Sequence, residues 1–332
     1  MKYNFALLQQ LSGIITSEVL ASNQIAPNIT LPRFEVTGGF ADGMGGIMTA
    51  MFVPLIAASL SGEWEEYSVE NQGWLEESAR LKMEHEKHLR PLEGTHQDHE
   101  TDLVDAATMD MPIDEIIDSI ADIPKNIWRW EGDEKVPLEN TPKDQLLAPL
   151  WQNSPAEAST INVDLFSDTR IADLYKSMLE TNQTVMSSAT QIGNLFDWMF
   201  YSDEKYHEEE PHAFLMEPVF ANFSSEQSEP IGFVMGLTSF RHLFEDILPP
   251  GADGIYCVLT GSSACGTNIT YLINGPEALF IGYHDLHEGL DEYEASIQLE
   301  LYDTITENLC VHDLHIYPAP GFEELHRTNK AA

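Results

Sequence analysis

The chain has 332 residues and a hydrophobic content of 43%, so it can bury a substantial core and is not disordered throughout. Asp and Glu total 55 against 16 Lys and Arg, a formal net charge of −39. This charge repels phosphate backbones and anionic headgroups, which argues against nucleic-acid binding and suits a medium of high ionic strength. No signal peptide or membrane span is recognisable, so we expect a soluble chain whose membrane contact would come only from flanking helices outside it.

Residues 1–33 predict an amphipathic helix followed by a linker. Apolar residues recur at spacings of three and four on one face of the segment 5–22, and they are Leu8, Leu11, Ile15 and Val19. This stripe suits contact with a partner helix, so the sequence predicts a homodimer through the N-terminal helix. The glycine-punctuated segment 34–46 then predicts a turn or a close backbone approach.

An aromatic stripe marks a predicted helix over residues 61–87. Trp64, Tyr67 and Trp74 recur there at helical spacing among glutamates. Such a stripe is more often part of a core than of a ligand cage. Downstream, the sequence predicts a strand at 160–166 and a helix at about 168–181.

Four histidines lie in the charged segment 84–102, and His96 and His99 are the best pair for a metal. Asp98 or Asp102 would add a carboxylate ligand. The segment lacks an HExxH helix, so it is interpreted as a solvated connection and no metal is predicted. A metal-dependent hydrolase that uses these histidines is kept as the alternative function.

The acidic segment 201–212 is the best internal boundary, giving a first α/β subdomain at 34–204 and a second at 205–330. The second contains two predicted strands, a helix at 239–250, and a three-stranded meander that spans 253–285. Two strands, a helix and a meander are the order of a PAS-like or Cache-like domain. We therefore expect an α/β (α+β) fold with two such mixed subdomains after the N-terminal helix.

The sequence "GYHDLHE" at the end of the meander places His284 and His287 around Asp285. In a strand, residues 285 and 287 share a face while residue 284 points away, and no third ligand lies at a recognised spacing. A structural turn held by Asp285 and His287 is therefore expected, and not a metal or catalytic site.

Whether the cysteines form a disulfide and whether the sequons carry glycans depends on the compartment of the protein. Cys257, Cys265 and Cys310 fit either one disulfide with a buried thiol or three reduced thiols. Glycosylation is expected only if the chain is secreted. The four sequons are at Asn28, Asn182, Asn222 and Asn268.

A collinear set of phrases resembles the extracellular region of diatom receptor-type guanylate and adenylate cyclases. The phrases are "LPRFEVTGG", "YSVENQGW", "LWQNSP", "EPVF", "ILPPGADGIYCVL", "TYLING", "GYHDLHE" and "CVHDLHIYP". The resemblance covers about residues 5–330, and the chain has no cyclase domain of its own. It implies an extracellular setting, a Cys265–Cys310 disulfide, and glycans on the sequons, with Asn28 and Asn268 the most plausible sites.

The expected function is that of a non-enzymatic extracellular sensor domain without a cofactor, which binds an unknown small molecule. Four residues of the first α/β half are the candidate walls of the ligand site: Tyr67, Trp74, Trp151 and Gln152. They offer aromatic surface and one amide to orient a ligand.

Overall fold

The structure is a computed structural model. It describes residues 2–22, 24–89, 123–131, 134–138, 141–189, 210–223, 229–245, 247–251, 253–262, 268–285, 295–298 and 310–319.

Five α-helices lie in these described residues. They are α1 (Lys2–Ser22), α2 (Phe34–Gly45), α3 (Ser61–Glu70), α4 (Gly73–Leu89) and α5 (Thr169–Thr181). Helix α5 begins where the Asp168 carboxylate accepts a hydrogen bond from the Arg170 amide at 2.9 Å. It ends at Asn182, whose φ of 50° is left-handed. The predicted helices at 5–22 and 168–181 are confirmed.

Two five-stranded antiparallel sheets contain most of the described strands. The first has the order β6-β1-β9-β8-β7, with β1 (Ile47–Pro54), β6 (Gln152–Ser154), β7 (Val185–Met186), β8 (His212–Val219) and β9 (Gly232–Ser239). The second has the order β12-β11-β10-β14-β13, with β10 (Asp253–Gly261), β11 (Asn268–Asn274), β12 (Glu277–Gly282), β13 (Ala295–Gln298) and β14 (His312–Pro318). Short pairs join β2 (Ile56–Ala57) to β5 (Leu146–Leu147) and β3 (Trp128–Glu131) to β4 (Glu134–Pro137). Helices and antiparallel sheets together confirm the α+β class.

The sheets divide the chain differently from the predicted boundary at 204/205. Strands β8 and β9 follow that boundary in sequence, yet β9 pairs with β1 along its whole length, from Ile47↔Thr238 to Pro54↔Gly232. The two large sheets instead divide between Ser239 and Asp253. A polar segment such as 201–212 is visible in the sequence, whereas the pairing partner of a strand is a long-range choice.

The strand order expected for residues 205–330 is present in the first sheet. In chain order, the strands β1 and β6 of this sheet are followed by the helix α5. A meander then follows, in which β7, β8 and β9 are hydrogen-bonded neighbours. Helices α3 and α4 are inserted between β1 and β6. The pattern therefore begins about 160 residues earlier in the chain than the sequence suggested.

The first sheet is buried on both faces. Neighbouring residues of a strand point to opposite sides, so each strand contributes to two separate apolar clusters. On one side Phe52 and Leu215 pack in a cluster with the α1 residues Leu8, Leu11 and Ile15. On the other side lies a second cluster, made of Met51, Phe214 and Phe233 with the α5 residues Ile171, Leu174 and Met178. The sheet is thus enclosed between helices.

The apolar stripe of α1 packs on this chain's own sheet and not on a partner helix. Leu8 and Ile15 are fully buried, and Ser12 donates a hydrogen bond to the carbonyl of Pro218 in β8 at 2.6 Å. A Cβ on Gly236 of β9 would lie 3.0 Å from Ile47 and 3.4 Å from Leu8, so the glycine leaves room for both side chains. The stripe is therefore covered within this chain, and the predicted homodimer stays a prediction.

Several local predictions differ from the structure. Residues 34–45 form helix α2 and not a turn, although Gly38 does make a close approach, since a Cβ there would overlap the Ser154 side chain. The predicted helix 61–87 is divided at Asn71 into α3 and α4. Segment 160–166 contains 3₁₀ turns and isolated bridges in place of a strand. Among the described residues of 239–250, the helical part is a 3₁₀ turn at Arg241–Leu243.

Among the described helices, none combines the length and apolarity that a membrane crossing requires.

Candidate functional site

Four aromatic side chains meet beside the first sheet: Trp64, Tyr67, Trp74 and Trp151. Together with the polar residues Thr30, Gln152 and Asn162, we call them the Trp151 cluster. The Trp151 ring lies 5.4 Å from Trp64, 6.0 Å from Tyr67 and 5.8 Å from Trp74, between ring centroids. Trp64 and Tyr67 come from α3, Trp74 begins α4, and Trp151 directly precedes β6. The structure therefore brings together the three predicted aromatic residues, which are distant in sequence.

Thr30 connects two of these aromatic residues through its hydroxyl group. The Thr30 and Tyr67 hydroxyls are 2.6 Å apart, and the Trp151 indole Nε1 donates to Thr30 Oγ1 at 3.1 Å. Burial raises the pKa of the Tyr67 hydroxyl, while the hydrogen bond with Thr30 opposes that shift. The loop between α1 and α2 is thereby fixed against the aromatic rings.

Two glutamine side chains hold the same loop, because each amide bonds both the backbone N–H and the backbone carbonyl of one loop residue. Gln152 Oε1 accepts from the Leu31 amide at 2.7 Å, and its Nε2 donates to the Leu31 carbonyl at 3.0 Å. Gln24 makes the equivalent pair of bonds with Thr30, at 2.7 and 3.1 Å. Gln152 was predicted to orient a ligand, but its amide is occupied by Leu31 in this structure.

A buried asparagine, Asn162, forms the hydrogen bonds on the Trp64 side of the cluster. Asn162 accepts from the Trp64 indole Nε1 at 2.9 Å and donates to the Ser68 hydroxyl at 3.1 Å and to the Pro124 carbonyl at 3.0 Å. Its φ of 65° is left-handed, a conformation that asparagine tolerates well. All of the amide's hydrogen-bonding atoms are therefore engaged in tying α3 to the loop before β3.

Trp74 is the exception within the Trp151 cluster. Its side chain is buried, with 5% exposure, and its indole Nε1 has no hydrogen-bond partner in the part of the chain that the structure describes. A buried donor without a partner costs about 1–3 kcal/mol, and such groups are rare in native structures. The Asn28 side-chain oxygen, in the α1–α2 loop, is likewise buried without a partner among the described residues.

Glu217 is a half-buried carboxyl group on the α1 side of β8. It accepts a hydrogen bond from the Thr184 hydroxyl at 2.5 Å, and Gln9 of α1 donates to that same hydroxyl at 3.1 Å. Burial raises the pKa of Glu217 to about 7, although the Thr184 bond lowers it. The Gln9–Thr184–Glu217 chain therefore changes its charge near neutral pH directly beneath the first helix.

The predicted disulfide and glycan sites are only partly within the described residues. Cys310 is disulfide-bonded and Cys257 is a free buried thiol, whereas Cys265 lies outside the described residues. Of the sequons, Asn182, Asn222 and Asn268 are exposed and Asn28 is half-buried. These positions leave the glycosylation sites as predictions.

The histidine candidates give no metal site in the described residues. His96, His99, Asp98 and Asp102 lie outside them, and no group of three His, Cys, Asp or Glu side chains with metal-binding geometry occurs within the ranges that the structure describes. At the predicted turn, the Thr270 hydroxyl donates to the His284 carbonyl, which fixes the end of β12 to β11. Asp285 is half-buried, His287 lies outside the described part, and their predicted role stays untested.

Comparison of the sequence with protein-family models and with curated proteins gave no match.

Three members of the Trp151 cluster were missed as site residues by the sequence analysis. Trp64 shares the helical spacing of Tyr67 and Trp74, so the aromatic stripe contained the signal. Thr30 and Asn162 had no comparable signal, because their roles depend on contacts across 37 and 98 residues of sequence.

Proposed function

We propose that this chain is a non-enzymatic, extracellular small-molecule sensor domain that belongs to a receptor-type nucleotide cyclase signalling system. The resemblance to the extracellular regions of those receptors supports the proposal, as do the acidic surface and the disulfide-bonded Cys310. The first sheet adds support, since two strands, a helix and a meander are the order expected of a PAS-like or Cache-like sensor.

The observation that carries the proposal is the buried, unpartnered indole N–H of Trp74. Apart from the Asn28 side-chain oxygen in the adjoining loop, the other polar side-chain groups described above for the Trp151 cluster have partners, so the Trp74 donor is unpaired beside a wall of aromatic rings. A ligand with a hydrogen-bond acceptor and a flat apolar body would satisfy the Trp74 donor and contact Tyr67 and Trp151. The bound state would thus gain a hydrogen bond that the free protein lacks.

Signalling would follow from the contacts of the cluster with the loop between α1 and α2. Thr30 and Leu31 lie in this loop, and both are fixed by cluster residues. A ligand that changes the Thr30–Tyr67–Trp151 contacts would bias the position of that loop, and so of the first helix, by a population shift.

The test is a thermal-shift and tryptophan-fluorescence screen of the full chain against small metabolites that carry acceptor groups. We expect ligands that raise the melting temperature of the wild type and of the control variant Trp130→Phe. Trp130 pairs with Trp128 at 5.1 Å in the β3–β4 hairpin, and within the described ranges it makes no ring contact with the Trp151 cluster. Loss of one hydrogen bond in Trp74→Phe should weaken the same ligands about tenfold.

Two outcomes would contradict the proposal. One is a broad library in which no compound raises the melting temperature. The other is a set of ligands whose affinity is the same for Trp74→Phe as for Trp130→Phe, because the ligand would then not use the unpaired donor.

A further inference from the structure

A second polar cluster lies where the chain leaves the first sheet and meets the second, and we call Glu210, Arg241, Glu245 and Tyr271 the seam cluster. Arg241, which follows β9, donates through Nη1 to Glu210 Oε1 at 3.2 Å and through Nε to Glu245 Oε1 at 2.8 Å. Glu210 lies just before β8, and Tyr271 lies in the middle of β11. The cluster therefore combines residues from both sheets.

Two oxygen atoms of this cluster are buried without partners. Glu210 is 4% exposed and its Oε2 has no hydrogen bond, while Tyr271 is fully buried and its hydroxyl has none, in both cases among the described residues. Buried polar atoms are nearly always paired, and an unpaired carboxylate oxygen is especially costly. Two such atoms in one cluster indicate a group that the free chain does not supply.

The two residues that carry the unpaired atoms both contact one short turn. Arg241 of that turn binds Glu210, and Phe244, three residues later, contacts the Tyr271 ring with centroids 5.2 Å apart. The electrostatic influence of Glu210 and Glu245 reaches the Tyr271 hydroxyl, where it adds to burial in raising the pKa, and Arg241 opposes it. Glu210 and Tyr271 therefore both contact the turn that carries Arg241 and Phe244.

The local charge selects the sign of the ligand. Glu210 and Glu245 carry two negative charges against one positive charge on Arg241. Three histidines lie nearby: burial lowers the pKa of His212 and His312 to about 4, and His242 Nδ1 lies 3.6 Å from Glu245 Oε2. The site therefore has an excess of one negative charge when its histidines are neutral.

The unpaired acceptor atoms and the nearby aromatic rings further limit the kind of ligand that fits the seam cluster. A carboxylate oxygen only accepts hydrogen bonds and a tyrosine oxygen can accept one, so a single ligand with several N–H donors can satisfy both. Phe244 and Phe280 contact the Tyr271 ring at 5.2 and 5.6 Å, which gives aromatic surface of the kind that attracts cations. The net charge of −39 also concentrates small cations near the protein.

We propose that the seam cluster binds a small primary ammonium cation, which donates hydrogen bonds to Glu210 Oε2 and to the Tyr271 oxygen. This site is separate from the Trp151 cluster and does not rest on the function proposed for it. Its occupation would join the two sheets through a ligand that contacts β11 and the start of β8.

The experiment measures the melting temperature of the full chain in a titration with methylammonium chloride, against sodium and potassium chloride at equal ionic strength. We expect a saturable increase with methylammonium beyond that with either salt. Tyr271→Phe should weaken the response about tenfold, since one hydrogen bond is lost. The matched control Tyr256→Phe, on neighbouring β10 and only half-buried, should respond as the wild type does.

Glu210→Gln should abolish the saturable response, because the amide removes the excess negative charge. If that variant does not fold, the comparison of Tyr271→Phe with Tyr256→Phe decides alone. The proposal is overturned if methylammonium acts no more strongly than sodium chloride, if sodium or potassium gives the same saturable shift, or if Tyr271→Phe keeps wild-type affinity.

Discussion

The two large sheets have the same number of strands but very different surroundings. The first is covered on both faces, with every residue of β9 buried. The second is covered less completely: β12 has one buried residue, Ala278, among exposed or half-buried ones such as Leu279, and β11 has exposed residues at both ends. Apolar burial is therefore greater per strand in the first sheet, while the second leaves side chains available to solvent or to a partner.

The contrast extends to the polar groups beside each sheet. Next to the first sheet, the Trp151 cluster satisfies its own hydrogen bonds except for the Trp74 donor, and Glu217 has its pKa raised to about 7 by burial. Between the sheets, the seam cluster leaves two acceptor oxygens unpaired. Enclosure by helices thus accompanies nearly complete pairing, and the unpaired groups mark the positions where we expect ligands.

The largest test of the contrast removes one apolar side chain from each sheet. Phe233 of β9 is fully buried against Tyr175 and Phe166, whereas Leu279 of β12 is 56% exposed. Phe233→Ala should lower the free energy of unfolding by about 4 kcal/mol, and Leu279→Ala should change it by less than about 0.5 kcal/mol. Equal losses in urea unfolding would show that the two sheets are not differently buried.

A smaller effect is expected from the hydrogen bonds around Asn162. Asn162→Ala removes three side-chain hydrogen bonds and leaves the buried Trp64 N–H unpaired, so it should destabilise the protein by about 3 kcal/mol. Asn182→Ala is the matched control, because Asn182 is also left-handed, with a φ of 50°, but is exposed. It should cost only about 1 kcal/mol. If chemical denaturation shows the same loss of unfolding free energy for both variants, the left-handed backbone conformation and not the Asn162 hydrogen bonds explains the loss.

The smallest effect is a pH dependence that originates from Glu217. Its folded-state pKa is about 7 against an ordinary value of 4.5, so the folded protein holds a proton that the unfolded chain releases. The associated stability is complete below the ordinary pKa and is lost as the pH rises through the folded one. Between about pH 5 and pH 7 the loss should amount to about 2 kcal/mol. Glu217→Gln should flatten this slope in urea unfolding followed across that pH range.

Thr184→Val provides a second check on the same carboxyl group. The Thr184 hydroxyl donates to Glu217 and lowers its pKa, so its removal should move the loss of stability to higher pH. A slope that is identical in the wild type and in Glu217→Gln would contradict the assignment to this residue.

The elements that the sequence predicted best are those whose signal is local. The stripe of Leu8, Leu11 and Ile15 has the helical period, and the turns around Gly275 separate β-branched runs, so α1 and the β10–β12 meander were recognisable. The helix α2 was not, because Gly38 and Gly39 read as turn residues. Its helical state depends on packing, in which Gly38 lies against Ser154 of β6.

The candidate site divides in the same way. Tyr67 and Trp74 were predicted from helical spacing and Trp151 from its aromatic surface, and all three meet in one cluster. The engagement of Gln152 by Leu31 could not be predicted, since the two residues are 121 positions apart and either one has many alternative partners.

The sequence by itself determined the α+β class, the acidic surface and the periodic elements, because charge and hydrophobic period are properties of neighbouring residues. Only the tertiary structure decided which sheet each strand joins, which face of α1 is covered, and which buried polar groups lack a partner. Those decisions depend on contacts between residues far apart in the chain, such as β1 with β9 and Arg241 with Glu210. The same long-range contacts place the unpaired Trp74, Glu210 and Tyr271 atoms on which both proposed ligand sites rest.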